Sequence, residues 1–284
     1  MKKNIIFNDS KLRELYMELL NTKFSNGMSV FERIRPNDLC IAGHHIGRLY
    51  NNGLLIYGQA MNGWSNDNVK QINAVIDEVL DKGNDYKELY TIVDSKGWHG
   101  EVDGKVASYY YKRSKFWKLN YQVITNAKDV HFENFYINSS SDIEREELFD
   151  SAWSQNVVWS NLYKISFSKG GNPNDEIIEV INAISLKIIL EEIELFKPSR
   201  VLFNTGENLF ANVVLKYGNV FGLEKISDES NILYKGLYEY MQGERCTIIV
   251  CKRPDVRRLH YTNEDIVNEA KEIISTYEII EGKK

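Results

Sequence analysis

The stretch Leu54-Leu55-Ile56-Tyr57-Gly58-Gln59-Ala60-Met61-Asn62-Gly63-Trp64 decides the reading of this chain. Four apolar residues in succession form a strand buried on both faces, and the run then breaks into a polar loop bracketed by Gly58 and Gly63. Helical spacing resumes over about 67–81. A buried strand that passes through a glycine turn into a helix is how an open α/β sheet presents a site at a strand's carboxyl end. Glycine lets a backbone approach a ligand without a β-carbon in the way. Trp64 offers a flat surface for stacking. Taken alone, an ordinary strand–turn–helix connection explains the stretch better, so its weight depends on the rest of the chain.

Outward from it, residues 10–21 carry Leu12, Leu15, Tyr16, Leu19 and Leu20 at helical spacing. A second strand-to-loop unit reads Val157-Val158-Trp159-Ser160-Asn161-Leu162-Tyr163-Lys164-Ile165. The clearest helix follows, opened by Asn174 or Asp175, patterned by Ile177, Ile178, Ile181, Ile184, Ile188 and Ile189, and closed before Pro198. Strands at 200–204 and 247–250 come next, then a helix beginning near Thr262, whose spacing to Asp265 fits a cap. Ser140 or Ser141 is placed to cap a further helix through about 155. Residues 84–139 read as an inserted or elaborated region with helix around 107–120. Strands alternating with long helices predict one α/β domain over 1–284, with a mostly parallel sheet and helices on both faces.

An apolar fraction of 43% and a charged fraction of 26% fit a globular chain with a sizeable core. No apolar run reaches the roughly 18 residues that cross a bilayer, and the amino terminus lacks the apolar stretch of a signal peptide. The expectation is therefore a cytoplasmic protein with no membrane association and no protein partner. The three cysteines, Cys40, Cys246 and Cys251, read as buried thiols, because structural zinc and iron–sulfur sites usually take four ligands. His44 and His45 have no acidic partner at ligand spacing, so no metal and no cofactor are expected.

A net charge of −5 argues against indiscriminate coating of nucleic acid but leaves room for a local basic face. Lys252-Arg253-Pro254-Asp255-Val256-Arg257-Arg258 holds four cations against one acid. Lys112-Arg113-Ser114-Lys115-Phe116-Trp117-Lys118 interleaves cations with aromatics, which phosphate contact combined with base stacking requires. No Gly-x-Gly-x-x-Gly or Walker loop occurs, which lowers the expectation of a dinucleotide or nucleoside-triphosphate enzyme.

Four loops are expected at one sheet edge: 58–64, 160–164, 204–208 and 252–261. As an ordered set they resemble the uracil-DNA glycosylase superfamily. Gly58-Gln59-Ala60-Met61-Asn62-Gly63-Trp64 looks like its water-activating motif, Asn161 like the polar position that reads a flipped base, and 201–206 like its strand ending in glycine. Arg257-Arg258-Leu259-His260-Tyr261 looks like its late histidine motif. The resemblance runs from about Leu54 to the carboxyl terminus, outside 84–139.

It implies a cofactor-free three-layer α/β/α sandwich that binds DNA, flips a damaged or modified base and hydrolyses its N-glycosidic bond. Defence against phage DNA carrying modified bases is one role within that superfamily. Ala60, Asn62 and His260 then take the catalytic positions, and Gly58, Gln59, Trp64 and Asn161 the base-binding ones. Lys112, Arg113, Lys115, Lys252, Arg253, Arg257 and Arg258 would meet DNA phosphates.

Three departures stand out. His260 precedes Tyr261 rather than proline, the iron–sulfur cysteines are missing, and Ala60 replaces the acidic or amide side chain usual at that place. Ala60 is compatible with chemistry that dispenses with that side chain, with lost catalysis, or with an inactivating replacement. A non-catalytic DNA-binding relative and a hydrolase or transferase of free nucleosides are the rival readings. Asn62 reads equally as a water-holding residue and as a turn cap.

Overall fold

A computed structural model describes residues 9–34, 39–59, 71–85, 99–102, 105–108, 114–126, 153–167, 171–227, 229–240, 243–254 and 262–282. The helices are α1 (Ser10–Asn21), α2 (Val30–Ile34), α3 (Ile72–Asn84), α4 (Lys115–Asn126), α5 (Asp175–Phe196), α6 (Glu207–Val213) and α7 (Asn263–Ile280). The strands are β1 (Leu39–Ile41), β2 (His45–Ile46), β3 (Leu54–Gly58), β4 (His99–Val102), β5 (Lys105–Ser108), β6 (Val157–Asn161), β7 (Ile165–Phe167), β8 (Arg200–Phe203), β9 (Glu224–Lys225), β10 (Ile232–Glu239) and β11 (Arg245–Cys251).

Seven of these strands form the main sheet in the order β2-β6-β3-β8-β11-β10-β9. Its four central strands, β6, β3, β8 and β11, are parallel, while β2, β10 and β9 extend the edges antiparallel. The chain is thus an α/β protein. The parallel strands lie in the spatial order second, first, third, fourth. Strand order reverses between β3 and β8, and in open sheets of this kind the crevice at the carboxyl ends there is where ligands sit.

Side-chain alternation separates the two faces of the sheet. Val201 and Phe203 of β8, with Ile248 and Val250 of β11, pack against Leu186, Ile189 and Ile193 of α5. Leu202 and Ile249 face the other way, against Leu119 and Val123 of α4 and Ile266, Ala270 and Ile273 of α7. Burial on both faces explains why these strands read as continuous apolar runs. Beyond α5, Leu12, Leu15 and Leu19 of α1 pack with Val75, Ile76 and Val79 of α3.

The long helix begins as expected: the Asn174 side chain accepts from the Ile177 N–H at 3.1 Å, and Asp175 and Glu176 favour the positive end of the helix dipole. At α7, Thr262 and Asp265 form a reciprocal capping box. Asp265 Oδ2 accepts from the Thr262 N–H at 2.6 Å, and Thr262 Oγ1 accepts from the Asp265 N–H at 3.2 Å.

One expectation is corrected. Helix was expected over 107–120, but residues 99–108 contribute the β4–β5 hairpin and the helix is Lys115–Asn126. The buried stripe that marks this helix is Trp117, Leu119, Val123 and Ile124. The mostly parallel sheet expected from the sequence is present, with β2 added antiparallel at one edge and β10 and β9 at the other. The helix expected from Ser140 or Ser141 falls outside the described residues, apart from a short 3₁₀ turn at Trp153–Asn156. All three cysteines are buried thiols. Among the described residues, no helix is long and apolar enough to cross a membrane.

Candidate functional site

Backbone pairing gathers the ends of the four parallel strands. Gly58 lies opposite Asn161, and Tyr57 opposite Phe203. Past the strands, the Leu162 and Tyr163 N–H groups donate to the carbonyls of Gly58 and Gln59 at 2.9 and 3.0 Å. The Asn204 N–H donates to the Tyr57 carbonyl at 3.1 Å, and the Gly206 N–H to the Cys251 carbonyl at 3.1 Å. The described starts of the four expected loops therefore share one edge of the sheet.

Strand alternation decides which side chains meet there. Trp159 lies two residues before Asn161 and packs, with Ile56, against Trp117 of α4. Asn161 and Gly58 continue the same face. A β-carbon at Gly58 would sit 3.0 Å from Asn161 Oδ1, 3.2 Å from Trp159 Nε1 and 3.4 Å from Phe116 Cζ. Gly58 is thus needed to seat the Asn161 amide, a more specific demand than room for a ligand. Gly206 has φ +78°, a conformation that side chains disfavour, and Arg253 packs beside it.

The polar groups on this face are incompletely matched. Asn161 is 1% exposed, yet among the described residues neither Oδ1 nor Nδ2 has a hydrogen-bond partner. The same holds for Trp159 Nε1 and Asn204 Oδ1, and for Gln59 Oε1 just past the end of β3. Each such atom costs about 1–3 kcal/mol relative to a satisfied one. Buried polar atoms left open in a cluster mark a place where a bound partner would complete the bonding.

On the opposite face a closed network lies behind this edge. Lys164 Nζ donates to both Glu192 carboxylate oxygens at 2.8 Å and to Ser160 Oγ at 2.7 Å. Ser160 Oγ donates to Glu192 Oε1, and the Tyr57 hydroxyl to Glu192 Oε2, each at 3.0 Å. Burial pulls the Lys164 ammonium below its ordinary pKa, and pushes the Tyr57 phenol well above its own. The network ties β3 and β6 to α5 directly beneath Gly58 and Asn161. Nearby, His45 stacks on Trp159 with ring centroids 5.3 Å apart, and burial drives its pKa down to about 3. His44 is also lowered by burial and contacts Asn84 and Phe196.

The described part of the first basic segment meets the start of α7. Lys118 Nζ donates to Asn263 Oδ1 at 3.1 Å, joining α4 to the start of α7. Lys115 lies close enough to Asp265 to help hold its carboxyl below the usual range, after the two bonds from Thr262. Lys252 and Arg253 follow the end of β11, where Arg253 packs beside Gly206. Of the candidate residues, Gly58, Gln59 and Asn161 come together and Lys115, Lys252 and Arg253 lie at the same end of the sheet. Ala60, Asn62, Trp64, Lys112, Arg113, Arg257, Arg258 and His260 lie outside the described residues.

Sequence reading did not single out Phe116, Asn120 or Trp159 as site residues. Period two from Asn161 was a usable signal for Trp159. Phe116 and Asn120 are one helical turn apart, and only the fold brings them to the strand ends.

A cavity of about 760 Å³ opens at the other, amino-terminal end of the parallel strands, beside Leu54, Val157, Arg200 and Thr247. Its buried charge is already matched, since Arg200 Nε and Nη2 each donate to the Glu281 carboxylate at 2.7 Å. The carboxyl-terminal edge, at the switch in strand order, is the stronger candidate.

Comparison with models of known protein families finds no match, and comparison with curated proteins finds no relative of significant similarity.

Proposed function

We propose that this protein is a DNA glycosylase-like hydrolase that takes a damaged or modified base out of the helix and cleaves its N-glycosidic bond. The observation that carries the reading is the buried, unmatched amide of Asn161 beside Gly58, at the carboxyl edge where strand order reverses. A carboxamide offers a donor and an acceptor in one plane, which suits the edge of a nucleobase. Lys115, Lys118, Lys252 and Arg253 around that edge support phosphate contact. Helices on both faces of β8 and β11 support a three-layer α/β/α sandwich, and the four-loop order supports a place in the uracil-DNA glycosylase superfamily. Action on modified bases of invading phage DNA belongs to the same reading.

Bond cleavage builds positive charge on the sugar and negative charge on the leaving base. On this proposal Asn161 and Gln59 hold the base, and His260 donates to the departing anion. Asn62 positions water. Ala60 favours a second reading, a relative that binds DNA and flips bases without cutting, because no side-chain carboxylate stands at that position.

The test is incubation of the protein and its Ala60→Glu variant with duplexes bearing different modified bases, scoring alkali-labile abasic sites. Base release by the parent supports the enzyme. Release by Ala60→Glu alone supports the binding relative, with a rate gain equivalent to a few kcal/mol of barrier, typically ~3. No release by either protein, with no salt-dependent duplex binding, overturns both readings.

A further inference from the structure

Asn204 follows β8 directly, and period two from Leu202 turns it to the face covered by α4. Its Nδ2 donates to Asn120 Oδ1 at 2.6 Å, and Asn120 Nδ2 donates to the Phe116 carbonyl at 3.0 Å. This chain of bonds can run in one direction only. The Phe116 carbonyl has no hydrogen to give, so the Asn120 NH₂ must face it. Asn120 then presents its oxygen to Asn204, and Asn204 must answer with its own NH₂. What Asn204 has left is Oδ1, an acceptor that cannot be exchanged for a donor by turning the amide over. That atom is buried in a residue 1% exposed and has no partner among the described residues.

Asn161 differs, because both ends of its amide are unmatched and it serves a donor or an acceptor by rotating. Gln59 Oε1 is a further open acceptor at this edge, and Trp159 Nε1 an open donor.

We infer that Asn204, oriented by Asn120, is a specificity-determining residue that accepts a hydrogen bond from an exocyclic amino group of the flipped base. The site therefore takes amino-bearing bases of the cytosine or adenine type ahead of their keto counterparts. An amino group supplies the hydrogen that Asn204 Oδ1 lacks. A keto oxygen in the same position faces Asn204 Oδ1 acceptor to acceptor, leaving both unpaired and desolvated. The inference rests on the proposed base-flipping function and names the class of base it serves.

The experiment uses duplexes of one sequence with a single mispaired pyrimidine, in pairs that differ only at the 4-position: cytosine against uracil, and 5-hydroxymethylcytosine against 5-hydroxymethyluracil. Fluorescence anisotropy at fixed salt gives the Kd of the whole chain for each, with fully paired duplex as reference. The expected result is about ten-fold tighter binding of the amino member, the scale of one buried hydrogen bond.

Asn120→Leu frees the Asn204 amide to rotate and should bring the ratio close to one, with binding to paired duplex unchanged. Asn120→Asp still accepts from Asn204 Nδ2 and should keep the preference. Asn204→Ala removes the acceptor and serves if the Asn120 variants do not fold. An equal or keto-favouring ratio in the parent protein, or a preference that survives in Asn120→Leu and Asn204→Ala, overturns the inference and leaves the DNA reading standing. Absence of salt-dependent binding to every duplex removes the DNA reading and this inference with it.

Discussion

Lys164 Nζ lies 2.8 Å from each carboxylate oxygen of Glu192, and neither side chain reaches solvent. Two opposite charges withdrawn from water tolerate the loss of both better than the loss of one. Lys164→Met should destabilise the fold by roughly 3–5 kcal/mol, because the Glu192 carboxylate is left buried without its counter-charge. Glu192→Leu should cost a similar amount. The double variant should recover most of that loss, and a double-mutant cycle by urea denaturation measures the difference. Strict additivity would mean that the two charges are not coupled.

Acid should act through His45. Its folded pKa, about 3, lies below the ordinary 6.5, so the unfolded chain binds a proton that the folded one refuses between those values. Stability from this group is intact above pH 6.5 and falls as pH drops toward 3, at up to ~1.4 kcal/mol per pH unit. His45→Phe keeps a ring against Trp159 and removes the titration. Melting temperatures from pH 7 to pH 4 should fall less steeply in the variant, with His44 supplying the remaining slope in the same direction.

Gly58→Ala places a methyl group 3.0 Å from Asn161 Oδ1 and 3.2 Å from Trp159 Nε1. Overpacking of this kind costs about 1–3 kcal/mol. The more telling effect should be on recognition: displacement of Asn161 weakens binding to duplexes with a flippable base, while paired duplex binds as before. A variant that loses stability alone would take Asn161 out of the binding site.

Arg257→Ala with Arg258→Ala should weaken duplex binding about equally across sequences. The slope of log Kd against log salt should shrink by about one unit per lost phosphate contact. Unchanged slopes would move the phosphate contacts to the α4 side, where Lys115 and Lys118 are the residues to replace next.

The elements that were legible in the sequence are those whose signals are local. Helix α1 declared itself by spacing, α5 by Asn174 and Pro198, α7 by its capping box, and β3 by four apolar residues ending at a glycine. Strand β10 was missed because Gly236 interrupts it and its outer half is exposed, so neither alternation nor an apolar run survives. Strands β1 and β2 are too short to carry a pattern. Asn161 could be picked out as a polar residue ending a buried strand. Asn120 could not, since its significance lies in a partner 84 positions away that only the packing of α4 on the sheet supplies.

Strand β3 has one further consequence, for how the chain acquires its site. Its neighbours are β6 and β8, and Ser199 Oγ donates to the carbonyl of Gly53, 146 positions earlier. Pairings this distant demand closure of large loops before any contact compensates for it, so folding should be slow relative to helical proteins of the same length. During synthesis the recognition edge cannot exist until β8 has emerged, and β11 must follow to supply its basic flank. An amino-terminal fragment ending before residue 200 would expose one side of β3 as an unpaired strand and would be prone to aggregate rather than to bind DNA.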